Sequence, residues 1–339
     1  MTTQSLSYVT TSTFENIADR IRCANRIVVT THRKPDGDAI GSVVGMYRAL
    51  RSLGKEVENL IIGPLEHGLA IIAGDTPIRF VEESGVPEEA PDLIIVLDTG
   101  AWSQLEAIEP WLREHAELVI GLDHHANGDD VAGDRIVDVS AAAATQVVLE
   151  LLETMDIDIG SGTGCIAEAL FVGLATDTGW FRFSNADARC FADASKLLQH
   201  DLNRYDIYRS LEETARPARM ALLQRMLASL EIVGNVAIMV LRSTDFGEAK
   251  GDSTDLVGLV NTPMVIEGVQ ASILLTDSNP GITKMSFRSK PALVNDPTSL
   301  IDVNKLASEF GGGGHVHAAG ARVKEPLEAV KTRLLEQIT

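Results

Sequence analysis

The sequence predicts an α/β protein: a mainly parallel sheet flanked by helices, followed by a smaller α/β domain with a mixed sheet. Three observations carry this. Short Val/Ile/Leu runs alternate with helical patterns along the first half of the chain. Those runs are continuous rather than alternating, as expected of strands buried on both faces of a parallel sheet. Beyond about residue 230 the pattern changes to a strand, a helix and a hairpin.

In chain order, RIVVTT (26–31) reads as the first strand, and DAIGSVVGMYRALRSLGK (38–55) places Ile40, Val43, Val44, Tyr47 and Leu50 at helical spacing, with Gly54 as the C-terminal cap. VENLIIG (57–63) completes a β-α-β unit, and DLIIVLDTG (92–100) and LVIGLDHH (118–125) add strands. Helices are expected over 141–155 and from Cys165 towards Phe181, and a polar helical segment over about 186–226. NVAIMVLRST (235–244) reads as a strand and STDLVGLVN (253–261) as a helix. A hairpin follows, VQASILLT and ITKMSFRS joined by DSNPG, and then DVNKLASEF, four glycines (311–314) and a final amphipathic helix. The expected domains are 1–190, a helical linker 191–230, and 231–339.

At 339 residues the chain has room for two ordinary domains, and 45% hydrophobic content argues against global disorder. The net charge of −19 argues against a broad basic surface for long nucleic acid. A small phosphorylated substrate is still allowed, but only where a metal or a few placed arginines supply local positive charge. Three cysteines, Cys23, Cys165 and Cys190, show no C-x-x-C spacing or disulfide framework. The first twenty residues hold no apolar leader core, and no run approaches the roughly eighteen apolar residues of a membrane span. A soluble protein of the reducing cytoplasm is expected.

The acidic and histidine residues form four clusters, each at the end of an expected strand or helix: His32, Asp36 and Asp38; Asp98; Asp123, His124 and His125; and Asp177. Strands of an open parallel sheet present their carboxyl ends to one crevice, so these distant residues can meet there. A single Asp after a strand is commonly a turn or helix-cap residue, and Asp38 could merely cap its helix. Asp-His-His directly behind a buried strand is harder to explain that way, because it sets three polar side chains against a core edge. Converging carboxylates repel and raise one another's pKa unless cations neutralise them. Two divalent ions would do so, and imidazole with carboxylate and no thiolate favours Mn²⁺, with Mg²⁺, Fe²⁺ or Co²⁺ as alternatives. Two ions about 3.5–4 Å apart are suited to phosphoester hydrolysis. His67, His115 and His200 lack comparable partners and read as surface residues. GSGTG (160–164) lacks the Walker lysine and reads as a connection.

His32-x-x-x-Asp36-x-Asp38 followed by AIGS, then D-T-G (98–100), D-H-H (123–125) and D-T-G-x-F (177–181), resembles the DHH phosphoesterase superfamily. GGGGHVHAAG (311–320) is similar to the GGGH-x-x-AAG signature of the DHHA1 domain. The resemblance spans about residue 10 to 339, so the expected domains become a DHH catalytic domain and a DHHA1 substrate-binding domain. The two-domain layout is most similar to the nanoRNase branch, oligoribonucleases that also act as pAp phosphatases. This implies that His32, Asp36 and Asp98 hold one Mn²⁺ and that Asp38, Asp98, His124 and Asp177 hold the other, with Asp98 bridging. His125 would face the scissile phosphate, with Asp123 orienting the histidines or supporting the metal shell. Arg288 would grip substrate phosphate with its planar guanidinium, and Gly312, Gly313 and Gly314 would admit phosphate to the backbone, with His315 adding a donor. His317 receives no role.

The implied activity is Mn²⁺-dependent exonucleolytic cleavage of short oligoribonucleotides in a cleft between the domains, together with removal of phosphate from pAp. A cyclic di-AMP or linear dinucleotide phosphodiesterase, a RecJ-type DNA exonuclease and a type II pyrophosphatase compete within the superfamily. A nucleotide-sensing binding protein is the non-enzymatic alternative. TGAWSQLEAIEPWL (99–112) lacks the basic residue many relatives carry there, so substrate contacts in that stretch are open. Cleavage polarity, strand order, the physiological metal and homodimer formation are open as well.

Overall fold

The structure, a computed structural model, describes residues 8–279, 281–293 and 295–338. Residues 1–7 of the stretch searched for a leader and Pro280 of the DSNPG turn lie outside it. The chain divides into two compact units, one up to Thr214 and one from Ala215. In the first, strands β1 (Arg26–Thr31), β2 (Glu56–Ile61), β3 (Arg79–Phe80), β4 (Leu93–Leu97), β5 (Val119–Asp123) and β6 (Asp134–Val137) are accompanied by helices α1 (Phe14–Cys23), α2 (Gly37–Ser52), α3 (His67–Ala73), α4 (Val81–Ser84), α5 (Glu109–Glu114), α6 (Ala144–Thr154), α7 (Ile166–Asp177), α8 (Ala188–Leu198) and α9 (Arg204–Glu212). In the second, α10 (Pro217–Ala228), β7 (Glu231–Val233), β8 (Val236–Leu241), α11 (Ser243–Ala249), β9 (Ala271–Asn279), β10 (Ile282–Ser289), α12 (Val303–Ser308), β11 (Gly313–His315), β12 (Ala318–Val323) and α13 (Leu327–Ile338) follow.

The first sheet is parallel throughout, in the order β3-β2-β1-β4-β5-β6. Both faces are buried, which is why its strands read as continuous apolar runs. On β1, Ile27 and Val29 join the core built with α1, α2, α6 and α7, while Val28 faces the opposite core with Leu105, Ile108 and Trp111. Each such buried side chain contributes about 1.5–3 kcal/mol. The sequence reading missed β3 and β6. The former has only two residues, and the latter, DRIV, carries charge on a half-exposed edge. Gly54 adopts a φ of +76° just past the end of α2, as a helix-terminating glycine should.

The second sheet has the order β11-β12-β10-β9-β8-β7, with β8 and β9 parallel and the other pairs antiparallel. The β9–β10 hairpin forms as expected. The helix expected over 253–261 does not: Ser253–Leu256 and Leu259–Val265 form separate 3₁₀ segments, split at Gly258 with its φ of +75° and carrying Pro263. No helix among the described residues is long and apolar enough to cross a membrane.

Candidate metal and catalytic site

Strand register brings the motifs together. Thr31 lies opposite Leu97, and Leu97 opposite Leu122, so the residues immediately beyond, His32, Asp98 and Asp123, emerge side by side. The order of strands reverses between β1 and β4, and the crevice beyond the carboxyl ends at such a switch point is where open α/β sheets bind ligands.

The AIGS segment acts through packing. A Cβ on Gly41 would stand 2.5 Å from the Ala169 carbonyl oxygen, and one on Gly173 would stand 2.7 Å from Asp38 Oδ1, so α2 and α7 approach each other backbone to backbone. That contact sets Asp38, in the first turn of α2, near Asp177 at the end of α7. Asp36, rather than Asp38, caps α2: its Oδ1 accepts the N–H groups of Asp38 and Ala39, both at 3.1 Å. Asp38 is buried and accepts the Ala144 and Thr145 N–H groups at 2.5 and 3.0 Å, at the start of α6.

His32 Nδ1 faces the Arg33 carbonyl at 3.0 Å and His124 Nδ1 faces that of Ala141 at 3.2 Å. Each ring therefore donates through Nδ1 and turns its Nε2 to the carboxylates, the arrangement of a metal-ligating histidine. His32 Nε2 stands 3.4 Å from Asp98 Oδ2 and 3.8 Å from Asp36 Oδ1; His124 Nε2 stands 3.5, 3.7 and 3.8 Å from oxygens of Asp98, Asp38 and Asp177. These contacts are long for hydrogen bonds. They approach the separation of about 3.0–3.6 Å between donors that share one cation at bond lengths of about 2.0–2.2 Å. Asp98 is 2% exposed, its Oδ1 has no hydrogen-bond partner, and its φ is +59°. A buried, unpaired carboxylate oxygen on a strained backbone is costly unless something binds it. Three groups could hold a metal ion: His32, Asp36 and Asp98; Asp38, His124 and Asp177; and Asp98, His124 and His125.

Electrostatics agree. Burial opposes protonation of His32, but Asp36 and Asp98 outweigh it and raise the ring to about 10. His124, also opposed by burial, reaches about 10 through Asp98, Asp38 and Asp177. Burial, assisted by Asp98 and Asp36, pushes Asp177 up to about 6, and burial with Asp98 pushes Asp38 well up. Without cations the cluster gathers protons. The donor set thus fits divalent metal.

Asp123 Oδ1 accepts the His124 and His125 N–H groups at 2.8 and 3.2 Å and faces His125 Nδ1 at 2.8 Å. His125 is half-exposed and lines a cavity of about 270 Å³ with His32, Asp36, Asp98 and Asp177. That cavity's lining contains no Lys or Arg.

The remaining predicted residues lie in the second unit or away from the site. Arg288 donates to the carbonyl of Phe287, its own neighbour, at 2.8 Å and lines a cavity of about 250 Å³ with Lys284 and Ser286. Gly312 lines an adjoining cavity with Lys284, Ser286 and Arg322. Lys284 pairs with Arg322 across β10 and β12, and neither forms an ion pair among the described residues. The sequence reading missed both cations. Alternation along TKMSFRS was the available signal, but their proximity depends on pairing with β12. The Gly312 N–H is engaged by the Ala307 carbonyl at 2.9 Å; Gly313, Gly314 and His315 are exposed in β11. His317 Nδ1 contacts Ser289 Oγ at 3.1 Å. His67 opens α3, and His115 Nδ1 contacts the Trp111 carbonyl. His200, half-buried, joins the GSGTG loop: its Nδ1 lies 2.5 Å from Gly160 O, and its carbonyl accepts the Gly162 N–H.

Comparison with known proteins bears out the family resemblance. Residues 26–174 match the DHH family, N-terminal domain, and residues 234–339 match the DHHA1 domain. The bifunctional oligoribonuclease and PAP phosphatase NrnA of Thermus thermophilus is 32% identical over 92% of this chain and 89% of its own length. The cyclic-di-AMP phosphodiesterase GdpP of Geobacillus thermodenitrificans is 26% identical over 89% of this chain but 45% of its own. The crystal structure of an exopolyphosphatase-related protein from Bacteroides fragilis superposes with a TM-score of 0.80 at 27% identity, covering 96% of this chain and 95% of that one. The chain belongs to the DHH family of phosphoesterases, in the form that carries a DHHA1 domain.

Proposed function

We propose that this protein is a Mn²⁺-dependent phosphodiesterase that shortens oligoribonucleotides of a few residues to mononucleotides, and that it also removes the 3′-phosphate of pAp. The observation that carries this reading is the pair of histidine Nε2 atoms set among Asp36, Asp38, Asp98 and Asp177. His32, Asp36 and Asp98 would hold one ion, and Asp38, His124 and Asp177, with Asp98, would hold the other. Four carboxylates against two dications are formally neutral, which removes the repulsion between them. Oxygen and imidazole donors without thiolate favour Mn²⁺ over structural zinc. With both ions bound, the site supplies water activation and neutralisation of phosphoryl charge.

The chain's own groups do the rest. Asp123 holds His125 by Nδ1, so Nε2 is the atom offered to the scissile phosphate or its leaving oxygen. The acidic catalytic cavity offers no Lys or Arg to bind phosphate. In the second unit Arg288, Lys284 and Arg322, with the exposed Gly313, Gly314 and His315, hold the phosphates and end of a short substrate. Three such cations suit a few phosphates rather than a long strand.

The test compares an end-labelled RNA pentamer, pAp and cyclic di-AMP, with Mn²⁺, for the native protein and His125→Ala. Stepwise shortening of the pentamer, lost in His125→Ala, is the expected result. The similarity to the cyclic-di-AMP phosphodiesterase supports the second reading. Opening of cyclic di-AMP with an intact pentamer would replace the first reading with it. Bound metal with no turnover of any phosphoester would favour a nucleotide sensor.

A further inference from the structure

Tyr8 occupies a position that the metal and substrate roles leave unexplained. The segment around it is tied along β6. The N–H groups of Thr11 and Ser12 donate to the Arg135 carbonyl at 2.9 and 3.2 Å, Thr10 Oγ1 accepts the Val137 N–H at 2.9 Å, and Arg135 Nε donates to the Val9 carbonyl at 3.0 Å. The Arg135 guanidinium lies 5.4 Å from the Tyr8 ring centre. The ring fills the space that side chains at Gly100 and Gly128 would need: a Cβ on Gly100 would stand 2.0 Å from the Tyr8 hydroxyl, and one on Gly128 would stand 2.6 Å from the ring. Gly100 closes the D-T-G motif and Gly128 follows the D-H-H motif three residues on. Both loops are therefore cut back to admit this one side chain.

The Tyr8 hydroxyl donates to Asp123 Oδ2 at 2.6 Å. Asp123 is 1% exposed, and its other oxygen carries the two backbone N–H groups and His125 Nδ1. A continuous chain runs from Tyr8 through Asp123 to the catalytic imidazole. Burial and the Asp123 charge push the Tyr8 hydroxyl far up, so it donates at any working pH.

We propose that Tyr8 is a positioning residue for the phosphoesterase reaction: by holding Asp123 Oδ2 it keeps Oδ1 aligned on His125 Nδ1, and so keeps His125 in the tautomer that offers Nε2 to substrate. This rests on the role given to His125 above. Without the hydroxyl, Asp123 Oδ2 is a buried acceptor with no donor, and the carboxylate gains by rotating towards other partners. An aspartate that fixes the tautomer of a catalytic histidine is a recurrent catalytic device, and disturbing it costs turnover without disturbing binding.

The experiment uses the full chain and Tyr8→Phe, which keeps the ring between the two glycines and removes only the hydroxyl. With Mn²⁺ and bis-p-nitrophenyl phosphate, kcat falls about tenfold or more while KM stays within about twofold. In a His125→Ala background the same substitution has no further effect, because the chain it supports has lost its end. A second readout does not need turnover. With Mg²⁺ bound, at alkaline pH, the ¹⁵N shifts of the His125 ring report a single Nδ1–H tautomer in the native protein and a mixture in Tyr8→Phe. All readings are taken well below the melting temperature, so a small loss of stability does not imitate the effect. Equal losses in the two backgrounds, or an unchanged tautomer with unchanged kcat, overturn the proposal. If the native protein cleaves no phosphoester, the functional reading fails and the tautomer still decides the role of Tyr8.

Discussion

The two units gather side chains of opposite charge by opposite means. In the first, four carboxylates and two histidines converge at a buried sheet end, held by register and by the contact between α2 and α7. In the second, the cations Lys284, Arg288 and Arg322 lie around shallow cavities on a sheet. The cluster, with Asp38 and Asp98 buried, gathers protons unless other cations take their place, so its charge state switches as a unit. The cations sit where water screens them, so each is worth a graded amount. The net charge of −19 lies entirely in the first unit, since Ala215–Thr339 holds 13 basic and 13 acidic residues.

The sharpest way to break the first half of this comparison is Asp98→Asn. Asn keeps the shape and tolerates the φ of +59°, but it removes the charge from the residue shared by two of the ligand groups. Activity should fall by more than about a hundredfold, beyond the usual cost of losing an outer partner of a metal ligand. Metal content should fall with it. An active, metal-replete Asp98→Asn enzyme would refute the shared-ligand assignment.

Chelation exposes the same contrast through pH. In the metal-free fold His32 and His124 rise from 6.5 to about 10. Their stabilising contribution is complete below about 6.5, where folded and unfolded rings are all protonated. It declines as unfolded rings lose protons first, and is gone above about 10. Asp177, raised to about 6, acts in the same sense at lower pH. Thermal melting of the chelator-treated protein should therefore drop steadily from pH 6.5 to 10, whereas Mn²⁺ should flatten that slope and release protons on binding. A melting temperature independent of pH after chelation would count against the cluster as drawn.

Two helical glycines, one in each unit, differ in packing. Gly41→Ala drives a methyl against the Ala169 carbonyl and should cost about 1–3 kcal/mol, with activity falling as Asp38 and Asp177 part. Gly247→Ala, on α11 of the second unit, meets nothing within 4 Å and should be neutral or stabilise by up to about 1 kcal/mol. Denaturant midpoints of the two variants decide it.

These contrasts also explain what could be read in advance. The bounds of β1 and the clustering of His32, Asp98, Asp123, His124 and His125 at strand ends were legible because a parallel strand buried on both faces leaves an unbroken apolar run with polar residues only where it stops. Asp177 was legible from its motif, but the reason it reaches the site, the glycine contact between α2 and α7, needed three dimensions. The 253–261 segment was misread because its apolar spacing mimics a helix while Gly258 and Pro263 favour tighter turns. Tyr8 left no local signal at all: it lies among serines and threonines, and its partner is 115 residues away. Lys284 and Arg322 were missed for the same reason, since a strand's sequence does not reveal which residue stands opposite.

The smallest expected effects belong to those cations, and they test the second half of the comparison. Lys284→Ala, Arg322→Ala and Arg288→Ala each remove one positive charge from partly solvated surroundings, where a phosphate contact contributes roughly 0.5–1.5 kcal/mol. KM for an RNA pentamer should rise about three- to tenfold for each, with kcat little changed, because these groups bind substrate and transition state alike. The increments should shrink at higher salt as the Debye length falls below about 10 Å, and they should be smaller for pAp than for the pentamer, which offers more phosphates. A loss in kcat comparable to that of His125→Ala would instead place one of these cations at the reacting phosphate, and the division between a buried catalytic cluster and a graded binding face would then have to be redrawn around that residue.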